Sequence, residues 1–540
     1  MPRNLTSLLI LQLLAMPAIA GAQEKDQSKD QSAESALPRI GQTPGEPLAR
    51  SAPPSVPFGV NPATSKDNVL DFHGYMFLPL RIGVMNREDP TPEQAKSTLH
   101  TPPLVPQNLR RFNYTGVTPD PWVQLNFTYG NSIVSGTAII ASGGPTDGTG
   151  FYNPVQQLGV YDAFITVNAG RMLKFPGNGA SSSNLISLRP KEQTTEKGGV
   201  NAAWLQFRVG AVTGRFGAMG AYDAGRYGTP LMFRTNAVGI RAMSGMRIGT
   251  TAVVVEGGFG GQLARPPRGM LPEGWNDFAD PNVGSTFVSD IHLGLVQSDF
   301  IHVGLHYATA WSQDDQIPVG GGLVPDGHIN VLGGDLRLTA GRFGHFYFGV
   351  ARTQASRSGS VSGVMEVLNA RGGPELKKEY FGPDGNGTGS LTTFGGQYDL
   401  SLARAVYDKQ FEGKSPDLLV SLFGIGTLVK SDEAAYDNRT KLKLGGQATY
   451  NIASWLSVSG RFDHVRPSMP GYAVDTTAFN IISPRILFHT DWQSRDEISL
   501  QYSYFMYGKN VIVERGYPPA YDITALPDRN VVMLSGTFWW

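Results

Sequence analysis

Arg529-Asn530-Val531-Val532-Met533-Leu534-Ser535-Gly536-Thr537-Phe538-Trp539-Trp540, the end of the chain, decides how the rest is read. Val532, Leu534, Gly536, Phe538 and Trp540 fall on one parity, and Val531, Met533, Ser535, Thr537 and Trp539 on the other. A period of two belongs to a β-strand whose two faces meet different surroundings. Two bare tryptophans at the very end suit an edge strand of a soluble sheet poorly, because such edges are usually blunted by charge or proline.

The same alternation recurs upstream. From Val69, the residues Leu70, Phe72, Gly74, Met76, Leu78, Leu80, Ile82 and Val84 share one face, and Asp71, His73, Tyr75, Phe77, Pro79 and Arg81 the other. Val123 to Tyr129 turns at Asn131-Ser132 into Ile133 to Ser142, and Tyr161 to Val167 and Leu205 to Val209 follow. Hairpins are expected at Phe233 to Glu256, turning at Ser244-Gly245, and at Phe287 to Trp311, turning at Gln297-Ser298-Asp299. Ile329 to Thr353 turns at Gly341-Arg342, and Phe394 to Thr427 has a longer connection. Lys441 to His464 turns near Ala453-Ser454, and Thr477 to Tyr507 at Gln493-Ser494-Arg495. Long polar loops are expected at Asn86 to Asp120, Gly177 to Gly199, Gly260 to Gly284, Gln313 to Gly327, Arg357 to Gly389 and Lys509 to Asp528, all on the side opposite the turns.

This pattern, with its terminal aromatic, resembles bacterial outer-membrane β-barrels, whose outward residues meet lipid and whose short turns lie in the periplasm. The expected fold is all-β: a single transmembrane, antiparallel, up-and-down barrel over residues 69–540, of about 18 strands within a range of roughly 16 to 20. The strand number is even if both termini are periplasmic, and the segment Arg171 to Gly217 is where the count is least fixed. A barrel of that width is expected to hold water in its lumen.

Ahead of the barrel, Met1 to Ala22 has the form of a secretory signal, with Arg3, an apolar core from Leu8 to Met16, and the cleavage pattern Ala20-Gly21-Ala22. Residues 23–68 are polar and broken by prolines, which predicts a flexible periplasmic lead too short for the folded plug of an energy-coupled receptor. The expected location is therefore the outer membrane of a Gram-negative bacterium, with lipid as the surrounding partner. Trimer and monomer both stay open.

Composition narrows the function. Among 540 residues, 41% are hydrophobic, 66 are glycine and none is cysteine, which removes disulfide frameworks and thiolate chemistry. The 45 basic and 45 acidic residues balance, giving no reason to expect nucleic acid. No phosphate-binding glycine loop, nucleophile elbow or metalloprotease helix occurs, so neither an enzyme nor a cofactor is expected.

The polar parity names the candidate pore lining: Asp71, His73, Arg81, Arg208, Arg241, Arg247, Asp290, His292, His302, His306, Asp335, Arg337, Asp399, Lys443, Arg461, Asp463, Arg485 and His489. Such charges cost several kcal/mol facing lipid, roughly 2–4 at the midplane, and are tolerable against water. Rings of them select solutes, and the basic excess in this set favours anionic or neutral polar solutes. Pairing across strands is the competing role, with Arg461 beside an acidic neighbour as the example. Folding the hairpin about Ser298 sets Asp290 opposite His306, His292 opposite Gly304, and His302 diagonal to His292. Three imidazoles and a carboxylate are also candidate metal ligands, although plain wall packing is the expected role.

Asp71-Phe72-His73-Gly74-Tyr75 resembles the opening strand of the maltoporin family of sugar channels. That resemblance implies sugar stacking on inward aromatics, of which Tyr75, Phe77, Trp204, Tyr347 and Trp539 have the right parity. The function expected is a porin-like channel for passive diffusion of small polar solutes, sugars or anions, narrowed by an infolded loop for which Gly260 to Gly284 is the candidate. A polymer-export barrel is the alternative, ahead of a barrel enzyme or an adhesin.

Overall fold

The structure is a computed structural model that describes residues 66–84, 122–143, 159–175, 202–216, 233–248, 251–262, 285–297, 300–313, 318–319, 322–323, 327–357, 365–367, 387–407, 416–432, 434, 437–467, 478–489, 496–507 and 529–539. All belong to one compact unit. The expected signal (Met1 to Ala22), nearly all of the expected lead, most of the expected long loops and Trp540 lie outside the described residues.

Alternation from Val69 onward produces strands at nearly every expected position. They are β1 (Val69–Gly83), β2 (Trp122–Gly130), β3 (Val134–Gly143), β4 (Gly159–Val167), β5 (Ala202–Phe216), β6 (Phe233–Ile248) and β7 (Thr251–Gln262). Next come β8 (Ser285–Gln297), β9 (Ile301–Gln313), the two-residue pair β10 (Pro318–Val319) and β11 (Gly322–Leu323), β12 (His328–Thr339), β13 (His345–Ser356) and β14 (Met365–Val367). The last are β15 (Thr388–Ser401), β16 (Asp417–Ser431), β17 (Thr440–Ala453), β18 (Leu456–Arg466), β19 (Phe479–His489), β20 (Glu497–Tyr507) and β21 (Asn530–Trp539).

Each long strand pairs antiparallel with its neighbours in sequence, and β21 pairs back onto β1, with Tyr75 opposite Trp539 and Gly83 opposite Val531. The main sheet has 19 strands. Of these, β14 stands outside the cyclic order, so 18 close the ring, at the centre of the expected range. Closure removes every free edge. The fold is thus a transmembrane-type up-and-down barrel.

The two faces separate as the alternation requires. On β21, Leu534 is 47% exposed while Met533 on the opposite face is 2% exposed. Outward rows are largely apolar, as with Leu80, Ile240, Leu305, Phe348, Leu422 and Leu500, and turn polar toward the loop end, as at Arg352 and Lys430.

At one end of the ring, short connections join the strands. The Asn131 carboxamide oxygen accepts from the Ile133 and Val134 N–H groups at 2.9 and 3.1 Å, closing the β2–β3 turn. The β12–β13 turn needs two glycines at positive φ, Gly341 at 56° and Gly344 at 91°. At Gly344 a Cβ would lie 2.0 Å from the Asp399 carbonyl oxygen, so no other residue fits.

Three expectations are corrected. The β6–β7 turn falls after Ile248, not at Ser244-Gly245. Gly245 lies opposite Trp204 in the β5–β6 register. A Cβ there would sit 2.3 Å from the Trp204 ring, so this glycine seats an indole instead of turning the chain. The segment Gly177 to Gly199 lies between β4 and β5, and strand direction puts that connection at the turn end, not among the opposite loops. Connection length alone does not report the side; the count of preceding strands does. Finally, the β8–β9 register pairs His292 with His306 and Gly294 with Gly304, two residues away from the expected pairing. An even slip leaves each side chain on its original face.

Candidate functional site

The inward face carries two layers. Through the middle runs a polar belt; nearer the loop end lies an apolar collar, and at the turn end Trp204, Met243, Ala252 and Val254 form a smaller apolar cluster. Strand β20 shows the change of character, with Ser499, Gln501 and Ser503 followed by Phe505. Strand β19 shows it in reverse, with Phe479 and Ile481 preceding Ser483 and Arg485. Val288, Ile329, Val331, Leu391, Ile425, Val465, Val531 and Met533 extend the collar around the ring as one buried cluster. The inward parity is therefore not polar throughout: its loop end is apolar, and many side chains of both layers are buried.

The belt is built from ion pairs within strands, between adjacent strands and across a strand. Arg241 on β6 donates from Nη1 to Glu256 Oε1 at 2.6 Å and from Nη2 to Asp290 Oδ2 at 2.8 Å. Asp290 lies two strands away, and the guanidinium reaches it across Gly258, which stands opposite both in register. A Cβ on Gly258 would be 2.8 Å from Arg241 Nη2, so the bare glycine makes the bridge possible. Thr235 Oγ1 donates to the same Asp290 oxygen at 2.9 Å. Arg208, directly opposite Arg241, lies with its guanidinium 4.5 Å from the Phe164 ring centre.

The next sector holds the histidines. The rings of His292 and His306 stack at 4.6 Å with 16° between planes. His306 Nε2 meets Asp335 Oδ2 at 2.5 Å. Asp335 leans across Gly304, where a Cβ would lie 2.9 Å from its Oδ1. His302 is buried opposite Arg337, whose guanidinium lies 5.6 Å from the Tyr347 ring centre. Stacked imidazoles present faces to each other and do not converge their nitrogens on a point. Among the described residues, no group of three or more such side chains is placed to hold a metal ion.

Further round, Asp399 accepts from Gln397 Nε2 at 2.7 Å and from Ser421 Oγ at 2.6 Å. Arg461 grips Asp463 through Nε and Nη2, both at 2.8 Å, and Lys443 Nζ stands 3.5 Å from the same carboxylate. The Arg461 guanidinium also lies 4.7 Å from the Phe423 ring centre. Of the remaining sequence candidates, Asp71 and His489 are buried, and Arg81 and Arg485 are half-buried on the expected parity. His73 and Arg247 stand on β1 and β6, but their side chains lie outside the described residues.

Sequence reasoning missed four buried charged members of the same face: Glu256, Lys441, Asp417 and Glu497. Glu256 was lost with the misplaced turn, which made it the last residue of a hairpin instead of the middle of β7. Asp417, Lys441 and Glu497 stand at or next to the first residues of their strands, where alternation has too few neighbours to declare a face. With them included, acids offset most of the basic excess read from the sequence.

The aromatic track that the maltoporin resemblance implied is not assembled among the described residues. Phe77, Trp204 and Tyr347 stand on β1, β5 and β13, far apart in ring order, and the side chains of Tyr75 and Trp539 lie outside the described residues. Among the described residues, inward rings meet at Tyr507, 5.8 Å from Phe479 and 5.5 Å from Phe505.

Fold and lining together define a membrane-type β-barrel with a braced polar belt and an apolar collar inside. No protein-family model matches the sequence, and no curated protein matches it. Among solved structures, OccAB1 of Acinetobacter baumannii is similar over 88% of this chain and 97% of its own, at 9% identity and a TM-score of 0.39. OccD3 (OpdP) of Pseudomonas aeruginosa is similar over 93% and 99%, at 8% identity and a TM-score of 0.38. OmpT, an outer membrane protein of Vibrio cholerae, is similar over 88% and 98%, at 11% identity and a TM-score of 0.34.

Proposed function

We propose that this chain is a bacterial outer-membrane channel through which small polar solutes diffuse passively, and that it is not an enzyme. The observation that carries the reading is the closed 18-strand ring that is apolar outside and lined within by a belt of charged and amide side chains. Charges on the inner wall of a membrane barrel set which solutes pass. Here they are largely paired, as in Arg241 with Glu256 and Asp290, and Arg461 and Lys443 with Asp463. Paired charges leave little net field, so of the anionic or neutral solutes that the sequence suggested, the neutral ones are favoured.

The narrowing element is assigned to β14, in the connection between β13 and β15. This short strand leaves its own neighbours and pairs with β6, which β7, β8, β9 and β12 separate from β13 in the ring, setting Met365 opposite Thr235. Met365 belongs to the buried collar. The sequence candidate Gly260 to Gly284 lies outside the described residues beyond Gln262.

Planar-bilayer recording of the purified chain is the test. Discrete unitary steps with weak cation-to-anion preference are expected, and deletion of residues 358–386 is expected to raise the step size. A folded chain that inserts and never conducts rejects the channel; strong selectivity rejects the neutral-solute assignment.

A further inference from the structure

Part of the apolar outward face is concave. Across β12, β13, β15, β16 and β17 runs a groove of about 540 Å³. Its floor is bare backbone at Gly396 and Gly424, where a Cβ would lie 2.8 Å from the Tyr347 carbonyl oxygen and 2.8 Å from Leu444 Cδ2. Its walls are Leu336, Phe346, Phe348, Tyr398, Leu422 and Leu444. Phe346 and Tyr398 stack at 4.4 Å, which stiffens one wall. At the turn end the apolar surface gives way to a cation. Tyr398 Oη donates to the Phe343 carbonyl oxygen at 2.8 Å, tying the groove to the β12–β13 turn. There the exposed Arg342 guanidinium sits 5.0 Å from the Phe343 ring centre.

We propose that this groove holds one acyl chain of a phospholipid whose phosphate is met by Arg342, making it a site for a particular bound lipid and not just a stretch of lipid-facing wall. Resting on the membrane placement in the proposed function, but not on conduction, the inference combines three features. The groove opens on the face turned to acyl chains. Glycines at its floor let a flexible chain lie against the sheet, as small residues do wherever membrane segments are approached closely. A guanidinium at the headgroup end supplies a partner of the right sign and of forked geometry for phosphate.

Native mass spectrometry of the full chain, purified in mild detergent and titrated with phosphatidylglycerol, tests the site. Wild type is expected to bind one lipid ahead of any non-specific series. Gly424→Leu fills the floor against only the flexible end of Leu444, and Arg342→Gln removes the cation from an exposed turn. Each variant is expected to bind about tenfold less tightly, the scale of losing one charge-assisted contact, while heat-modifiable gel migration confirms that both fold. Equal binding in all three proteins overturns the proposal. An oligomer of wild type that Gly424→Leu dissociates also overturns it, by showing a second copy in the groove. Bilayer conductance is expected to be unchanged in both variants. A chain that conducts without selective lipid binding rejects only this inference, and one that binds the lipid without conducting rejects only the channel.

Discussion

Arg241 is the residue on which one sector of the wall depends, and its parity was readable from the sequence whereas its partner Glu256 was not. The misplaced turn hid Glu256 on the adjacent strand β7, and alternation, which assigns a face but not a register, does not pair Arg241 with Asp290 two strands away across Gly258. Removing one member of a buried pair leaves the others as uncompensated charge, which costs about 3–5 kcal/mol. Arg241→Met is therefore expected to lower stability by that amount in urea titrations followed by tryptophan fluorescence. Adding Glu256→Gln and Asp290→Asn to it is expected to return part of the loss, and a triple variant no more stable than the single one refutes the pairing account. A second residue-scale case lies at the tip of the β16–β17 hairpin. The Ser431 N–H donates to Asp437 at 3.1 Å, and this bond, with smaller help from Asn438 and Lys430, holds the Asp437 carboxyl below the ordinary aspartate range. A depressed folded value means the contribution is complete above the ordinary range and is lost as pH falls through the lowered value. Slow exchange of the Ser431 amide should persist into mild acid and fail only below that range, whereas in Asp437→Asn it should show no such acid transition.

Strands and hairpins were legible wherever turn chemistry and alternation agreed. Gly341-Arg342 and Ala453-Ser454 turn the chain as read, because a positive-φ glycine or a short polar step interrupts the period there. Ser244-Gly245 carried a similar signal for a different cause, the seating of Trp204, and a single sequence does not distinguish the two. Strand β14 was beyond reach altogether: three residues show no period, and its partner β6 is distant in the chain. The pairing still makes a sharp prediction. Directly opposed residues of an antiparallel pair have Cα atoms about 4.5–5.5 Å apart, within disulfide reach. The chain has no cysteine to compete, so Thr235→Cys with Met365→Cys should cross-link on mild oxidation, seen as loss of about two hydrogens by intact mass. Disulfides formed only between separate chains, or persistent free thiols, would remove β14 from β6 and with it the assigned narrowing element.

At the scale of the whole molecule, the outward row decides whether this barrel belongs in a bilayer. Leu534 on β21 stands between Leu80 on β1 and Leu500 on β20, all three exposed, across the seam where the chain closes on itself. Ile82, also exposed, lies one outward position nearer the loop end on β1. Arginine facing lipid costs about 2–4 kcal/mol at the midplane and falls to about 0–1 near the headgroups. Reversible unfolding in phospholipid vesicles should therefore show a larger loss for Leu534→Arg than for Ile82→Arg, and a far smaller loss for both in detergent micelles, where a long side chain finds water more easily. The apolar collar gives the control, since Met533→Arg introduces the same charge on the buried face of the same strand and its cost should be similar in vesicles and micelles. If instead the outward substitutions cost the same in both media, the apolar rows are answering to protein and not to lipid, and neither the channel nor the lipid groove has a membrane to work in.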